Sequence, residues 1–291
     1  MEVWGGSSAF EGAVSVPGND VTVSCVPVEG NAAGGDIYYV SNCAAGLITR
    51  FVLADVAGHG SKVAALADRL RQLMRRNINN ANQTVFAEAL NREFAELSTD
   101  GRFATAVLLT YFAPTDHLII CNAGHPRPLF KREATGRWER LDFATPGVLG
   151  SGVSRSVGIA NLPLGVLHPS EYEQFAVKLE PGDQVIAYSD ALMEAKNGAG
   201  QQLGEDALLE LVNRLDAGQD DSIVARLRAA VREYANGRPL DDDATLIWLH
   251  HNGANPPRMS WRDRAAYLRH ALGIGGIDSA PRGSTPFSSD V

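Results

Sequence analysis

The chain has 291 residues, 45% of them hydrophobic and 21% charged, which is the composition of a soluble globular protein with room for a sizeable core. Its formal net charge of −8 disfavours a nucleic-acid-binding protein, because such proteins need a basic surface to neutralise phosphates. The sequence shows no signal-peptide pattern and no apolar run long enough to span a membrane. We therefore expect a cytoplasmic protein with no nucleic-acid partner and no membrane span.

The apolar spacing predicts strands and helix pairs that do not repeat as strand-helix-strand units, which favours an α+β fold over a doubly wound sheet. Two helix pairs would then cover the outer faces of two packed sheets. In chain order the segments are strands 21–26, 37–40 and 47–53, helices 61–73 and 85–97, strands 103–112, 117–121, 129–132, 138–141, 172–179 and 184–189, helices 205–215 and 222–234, and strand 244–250. Residues 144–160, rich in Gly and Ser, predict a surface loop or flap.

Acidic side chains stand at strand ends or turns: Asp36, Asp55, Asp190 and the run 241–243. An aspartate at the end of a buried strand must be hydrogen-bonded or bound to a cation. If several carboxylates converge, hard cations such as Mg²⁺ or Mn²⁺ are needed to offset their repulsion. Any one of them is also explained as a turn residue that caps its own backbone, and this is our interpretation of Asp183. The three cysteines have neither zinc-ligand nor disulfide spacing.

Eight motifs in a fixed order favour the cation-binding role of these aspartates over the turn-capping role. They are Gly34-Gly-Asp36, Asp55-Val-Ala-Gly-His-Gly60, Phe103-Ala-Thr-Ala106, Asn122-Ala-Gly-His-Pro126, Leu162-Pro-Leu-Gly165, Pro181-Gly-Asp183, Tyr188-Ser-Asp190 and Asp242-Asp-Ala-Thr245. Over about residues 20–250 this series resembles the metal-dependent protein phosphatase 2C (PPM) superfamily, and within it the bacterial SpoIIE-type serine phosphatases.

The resemblance implies a four-layer αββα sandwich, in which helix pairs flank two packed antiparallel β-sheets and a metal cluster lies at one edge. It also implies three parts of the chain: an N-terminal segment (1–19), a phosphatase 2C-like catalytic domain (20–250) and a tail (251–291). We expect one short amphipathic helix around Trp261 in the tail, which is otherwise disordered.

By the same resemblance, two divalent cations, Mn²⁺ or Mg²⁺, are held at this cluster. Asp55 bridges both, the backbone carbonyl of Val56 adds a ligand, and Asp190 and Asp242 complete the shell of one cation. Asp36 acts from beside the cluster through water, so that Asp36 and Asp55 are catalytic by way of a metal-activated water.

The register of the last ligand depends on the family pattern Asp-Asp-x-Thr. Its first acid is the ligand, and because the pattern ends here at Thr245 we assign Asp242, with Asp243 as the alternative.

Four other residues need an interpretation. His59 and His125 are candidates for acid-base roles, although a structural role is favoured for each. His125 stands where relatives carry an aspartate for a third metal, and Tyr39 stands where bacterial relatives often have an acid. No arginine can be matched to the phosphate-binding arginine of the eukaryotic enzymes, and Arg127 is only a guess.

The resemblance implies a protein serine/threonine phosphatase that acts on a phosphorylated signalling protein, such as an anti-sigma-factor antagonist. The alternative is a catalytically silent pseudophosphatase that binds a partner. A two-metal nuclease is disfavoured by the acidic composition. The sequence leaves the oligomeric state open.

Overall fold

The computed structural model describes residues 2–28, 30–43, 46–58, 60–78, 80, 82–98, 100–150, 160–215, 222–254, 261–262 and 265. The strands are β1 (Glu2–Ser8), β2 (Phe10–Val16), β3 (Asn19–Val26), β4 (Ala33–Cys43), β5 (Ile48–Val56), β6 (Ala104–Phe112), β7 (His117–Ala123), β8 (Leu129–Arg132), β9 (Arg137–Arg140), β10 (Val148–Gly150), β11 (Gln174–Lys178), β12 (Gln184–Tyr188) and β13 (Ala244–His251). The helices are α1 (Ser61–Asn77), α2 (Gln83–Leu97), α3 (Ala191–Glu194), α4 (Gly204–Leu215) and α5 (Ile223–Tyr234).

These strands form two sheets. The seven-stranded sheet has the order β1-β4-β5-β6-β7-β11-β10, and the six-stranded sheet has the order β2-β3-β13-β12-β8-β9. Neighbouring strands pair antiparallel throughout both sheets.

Side chains alternate along the strands between an inner and an outer core. In β4, Tyr38 and Val40 belong to the inner core between the sheets, whereas Ile37 and Tyr39 pack in the outer core under α1 and α2. A third core lies between the six-stranded sheet and α3, α4 and α5. Because a strand in this arrangement is buried on both faces, its sequence is apolar almost throughout. The predicted α+β fold, a four-layer αββα sandwich, is confirmed.

Four elements were absent from the sequence prediction. The N-terminal segment 1–19 supplies β1 and β2, which pair with β4 and β3. Part of the predicted flap 144–160 forms β10, the edge strand beside β11, and α3 is a single helical turn after β12. Residues 151–159 of the flap lie outside the described residues. So does the tail beyond Ala254, except for Trp261, Arg262 and Ala265, and the proposed domain limits stay a prediction.

Within the described ranges, no helix combines the length and the apolar character needed to cross a bilayer.

Candidate metal centre

Two of the predicted acids face each other across neighbouring strands. Asp36 of β4 is paired directly with Asp55 of β5. Both residues continue the alternation of inner-core side chains, two positions from Tyr38 and Leu53 respectively, so both point toward the six-stranded sheet. Asp36 is buried, with 1% of its surface exposed, and Asp55 is half-buried.

The other acids come from the corresponding end of the six-stranded sheet. Asp190 directly follows β12, and Asp242 lies two residues before β13, the antiparallel neighbour of β12. The Ser189 N–H donates to the Thr245 carbonyl oxygen (3.0 Å), and the Thr245 N–H donates to Ser189 Oγ (2.9 Å). These bonds hold the end of β12 and the start of β13 together, and with them the two acidic loops.

Asp243 joins the two sheets at this edge. Its Oδ1 accepts the Val28 N–H (2.8 Å) and its Oδ2 accepts the Gly35 N–H (2.6 Å). The carboxylate is buried, and buried backbone donors need such partners. Asp243 therefore fixes the start of β13 against β4 and brings the acids of the two sheets together.

The pKa of Asp55 reflects the proximity of acids from both sheets. Burial and, in second place, the negative charges of Asp190, Asp242, Asp243 and Glu194 together raise the pKa of Asp55 to about 7. Like charges that share a desolvated site disfavour ionisation of each member. Acids from both sheets thus act on one side chain.

Two further acids in this cluster are shifted in the same direction. Burial holds the pKa of Asp36 well above its usual range, the charge of Asp55 adds to this, and the hydroxyls of Thr245 and Ser189 oppose it. Burial also raises the pKa of Asp190, together with the charges of Glu194 and Asp242. The cluster concentrates negative charge that a cation would neutralise.

The donor set fits hard divalent cations. It consists of carboxylate oxygens, and Asp36 Oδ2 is buried without a hydrogen-bond partner among the described residues, where an oxygen needs either a donor or a cation. Over the described ranges, no three His, Cys, Asp or Glu side chains form a closed ligand set.

The run 241–243 contains three aspartates in three environments. Asp241 is exposed and forms an ion pair with Lys196 (2.8 Å). Asp242 is half-buried, its Oδ1 accepts the Asp243 N–H (2.8 Å), and its charge acts on both Asp55 and Asp190. Both carboxylate oxygens of Asp243 already accept backbone N–H groups. The two neighbouring acids Asp242 and Asp243 thus have different surroundings, and the assignment of Asp242 as the ligand stays a prediction.

The two positions before Asp36 have no room for a side chain, which explains why both are glycine. A Cβ on Gly34 would lie 1.8 Å from Asp243 Oδ2, and a Cβ on Gly35 would lie 2.8 Å from the Val56 carbonyl oxygen and 3.2 Å from Asp55 Oδ1. Only glycine leaves room for these groups. The Val56 carbonyl oxygen and the Asp55 carboxylate both lie beside Gly35. A cation site that they share would require such proximity.

His125 is buried next to this cluster. Its Nδ1 lies 2.8 Å from Thr105 Oγ1, and Thr105 is paired with Asp55. Burial lowers the pKa of His125 to about 3, so the ring is neutral at physiological pH and has no imidazolium proton to donate. Its backbone N–H donates to Asn122 Oδ1 (2.7 Å), which builds the local turn. The structural role of His125 stays a prediction, and His59 lies outside the described residues.

The remaining candidates are engaged elsewhere. Arg127 forms ion pairs with Glu205 (2.9 Å) and Asp142 (3.1 Å), so its guanidinium already has two carboxylates. Tyr39 is buried in the outer core under α1 and α2. Asp183 accepts the Glu180 N–H (3.0 Å) within its own turn, which confirms it as a turn residue.

Sequence reasoning missed three contributors. Ser189 and Thr245 belong to motifs that were singled out only for their aspartates, yet their hydroxyls lower the pKa of Asp36. Glu194 is exposed on α3, and its charge acts on Asp55 and Asp190. Its position four residues after Asp190 would have indicated a common helical face, but the single turn of α3 was not predicted.

Comparison with known families identifies the chain. A family model described as Stage II sporulation protein E (SpoIIE) matches residues 48–252. The chain belongs to the SpoIIE family. This SpoIIE-family protein is therefore a member of the phosphatase 2C-like superfamily, as its motifs predicted.

Solved structures show the same fold for this SpoIIE-family protein. The RsbU and RsbW domains of Rv1364c from Mycobacterium tuberculosis match with a TM-score of 0.65 and 24% identity, over 91% of this chain and 71% of that one. RsbX in complex with magnesium matches with a TM-score of 0.56 and 17% identity, over 83% and 99%. The phosphatase domain of SpoIIE from Bacillus subtilis matches with a TM-score of 0.56 and 16% identity, over 84% and 98%. At these identities the likeness establishes the fold.

The raised pKa of Asp55 predicts how the stability of the metal-free SpoIIE-family protein depends on pH. The pKa is about 7 in the folded state and about 3.9 when unfolded, so the folded state binds more protons between these values. Protonation of Asp55 therefore contributes stability that is fully present below about pH 4 and is lost as the pH rises through about 7. In EDTA, the free energy of unfolding should fall by at least about 1 kcal/mol between pH 5 and pH 7.5.

Urea denaturation of the parent and of Asp55→Asn measures this effect. The substitution should flatten the pH dependence, because Asn does not titrate. Asp68→Asn is the control, since Asp68 lies on α1 and pairs with Arg71 on the exposed surface. A pH dependence that is as steep in Asp55→Asn as in the parent would contradict the assignment of the shift.

Proposed function

We propose that this protein is a metal-dependent protein serine/threonine phosphatase, which hydrolyses phosphoserine and phosphothreonine on a signalling protein. The main observation in support is the convergence of acids from both sheets on Asp55, whose pKa is raised by burial and by the charges of Asp190, Asp242, Asp243 and Glu194. Membership of the SpoIIE family supports the same class of activity.

In this proposal two divalent cations, Mn²⁺ or Mg²⁺, are held by Asp55, the Val56 carbonyl oxygen, Asp190 and Asp242. When bound, such cations activate a water molecule and offset the negative charge of the phosphoryl oxygens. The magnesium in the RsbX complex belongs to that protein and supports the choice of a hard divalent cation here.

The protein groups have distinct tasks in this scheme. Asp55 would hold the cations with the charges of the other acids directed at it, and Asp36 lies beside it on the neighbouring strand, where the hydroxyls of Ser189 and Thr245 lower its pKa. Asp243 keeps the two halves of the site at a fixed separation through its bonds to Val28 and Gly35. None of these tasks involves a covalent intermediate with the protein.

The cysteines give independent support for water as the nucleophile. Cys25 and Cys121 are buried, and burial raises the pKa of Cys25 to about 12 and that of Cys121 further still. A thiol must ionise to attack phosphorus efficiently, so neither described side chain suits that role.

The second candidate function is a catalytically silent partner-binding module. It is favoured by Tyr39, which packs in the core where relatives often have an acid. Metal-dependent hydrolysis of p-nitrophenyl phosphate separates the two functions, because a silent module leaves this ester intact under all metal conditions.

The substrate class is tested by comparing a phosphoserine protein with a phosphotyrosine peptide and a nucleotide. A site centred on cations should hydrolyse phosphoserine and phosphothreonine in proteins, with selectivity provided by docking of the substrate protein. We expect kcat/KM for a phosphoserine protein to exceed that for a phosphotyrosine peptide or a nucleotide by about tenfold or more. A reversed preference would show that the assigned substrate class is wrong.

A further inference from the structure

A cavity of about 380 Å³ opens beside Asp242. Three segments form it: the end of β3 and the residues after it, α3 with the facing side of α5, and the loop between α5 and β13. We call it the arginine pocket, and its lining is Val26, Pro27, Val28, Leu192, Arg228, Val231, Arg232, Arg238, Pro239, Leu240, Asp242 and Ala244. Because Asp242 also belongs to the acidic cluster, the pocket adjoins the proposed reaction site directly.

Three arginines give this pocket its charge. Arg228 and Arg232 are four residues apart on α5 and thus on the same helical face, with Val231 beside them. Arg238 comes from the loop that follows. Asp242 is the acid in the lining, and Glu11 offsets the charge of Arg228 in an ion pair. Arg232 and Arg238 therefore make the pocket basic in a chain whose formal net charge is −8.

Two of the guanidinium groups are held in place. Arg228 Nη1 contacts Glu11 Oε2 (3.2 Å) and Ser24 Oγ (3.0 Å), and Arg238 Nη2 donates to the Asn197 carbonyl oxygen (2.8 Å). Arg232 is exposed. A fixed guanidinium retains further N–H donors for a carboxylate and loses less entropy on binding one.

The rest of the pocket is apolar. Leu192 and Val231 are buried side chains from α3 and α5, and Val26 is an exposed apolar side chain at the end of β3. The volume is near the lower end of the range of ligand pockets, about 300–1,000 Å³, so it suits one or two side chains of a peptide. The lining therefore complements a segment that carries both an apolar side chain and carboxylates.

We propose that the arginine pocket binds the residues that flank the phosphoserine in the substrate protein, an apolar side chain next to acidic ones, and thereby determines which phosphoproteins are hydrolysed. This inference rests on the proposed phosphatase function. Arg228, Arg232 and Arg238 are the specificity residues. Since Asp242 borders both sites, a peptide held in the pocket has its phosphoserine beside the cluster.

Two phosphoserine peptides test this proposal, one with Leu and Glu flanking the phosphoserine and one with the Glu residues replaced by Ser. The parent should have a higher kcat/KM for the acidic peptide. In Arg232→Glu the ratio of the two values should fall by about tenfold, because one attraction becomes a repulsion, and Arg232→Lys should retain most of it. Higher salt should reduce the ratio in the parent.

The control is Arg92→Glu, an exposed arginine on α2 in the opposite helical layer, which should leave the ratio unchanged. Equal kcat/KM values for the two peptides in the parent, or a ratio that is the same in Arg232→Glu as in the parent, would overturn the proposal and leave the phosphatase function standing.

A binding measurement separates the pocket from catalysis. Fluorescence anisotropy with the unphosphorylated acidic peptide should show binding to the parent and weaker binding to Arg232→Glu, whether or not the protein hydrolyses any ester. Arginine-dependent binding without turnover would support the pocket and refute the phosphatase. Complete displacement of the peptide by an equal concentration of inorganic phosphate would mark a simple anion site and overturn the proposal.

Discussion

Replacing Asp55 by Asn should lower kcat/KM on a phosphoserine protein by at least about a thousandfold. Asp55 is the side chain on which the charges of the other acids converge, and in the proposed arrangement it contacts both cations. The substitution removes a negative charge from between two positive ions and weakens both sites at once. The protein should remain folded, because the loss of one clustered charge relieves repulsion.

Steady-state kinetics over a range of Mn²⁺ concentrations, with circular dichroism to verify folding, measure this effect. Asp68→Asn removes a charge of the same kind from the surface of α1 and should keep the activity of the parent. A folded Asp55→Asn protein with parental turnover would be incompatible with a bridging role for Asp55.

The run 241–243 should give three different results when each aspartate is replaced by Asn. Asp241→Asn should change little, because Asp241 is exposed and pairs with Lys196. Asp242→Asn should lower kcat/KM by about a hundredfold at low Mn²⁺ and recover partly at high Mn²⁺, since it disturbs mainly one cation site. Asp243→Asn should lower the free energy of unfolding by about 2 kcal/mol, because an amide cannot accept both backbone N–H groups with its two terminal atoms.

This series needs kinetics and urea denaturation on the same three proteins, with Asp241→Asn as the matched control. It separates the two possible registers of the Asp-Asp-x-Thr motif. A stable Asp243→Asn protein whose activity recovers with Mn²⁺, together with an active Asp242→Asn protein, would assign the cation to Asp243 instead.

The strongly periodic parts of the fold were predictable from sequence. The continuous apolar run of β5 and the helical spacing of α1 correspond to buried elements. β1 was missed because its sequence, with two glycines and two serines, has low strand propensity and is held by pairing with β4. β10 has three residues and pairs only with β11. Long-range pairing, which a local pattern does not contain, determines both strands.

The acidic cluster also has parts that the sequence predicted and parts that depend on long-range contacts. Motif order singled out Asp36, Asp55, Asp190 and Asp242, and the structure brings them to one edge of the sandwich. The sequence alone could not distinguish the role of Asp243 from that of Asp242. The carboxylate of Asp243 accepts the backbone N–H groups of Val28 and Gly35, which lie more than 200 positions away in the sequence. The arginine pocket could not be predicted from the sequence either, because β3, α3 and α5 meet only in the folded chain.

A metal titration tests whether the acidic cluster works by holding divalent cations. Protein stripped with EDTA is supplied with increasing Mn²⁺, and hydrolysis of a phosphoserine protein is followed alongside calorimetric binding. We expect no turnover without metal, turnover that rises as cations bind, and loss of both binding and turnover in Asp55→Asn. Full activity of the parent in EDTA would contradict this expectation.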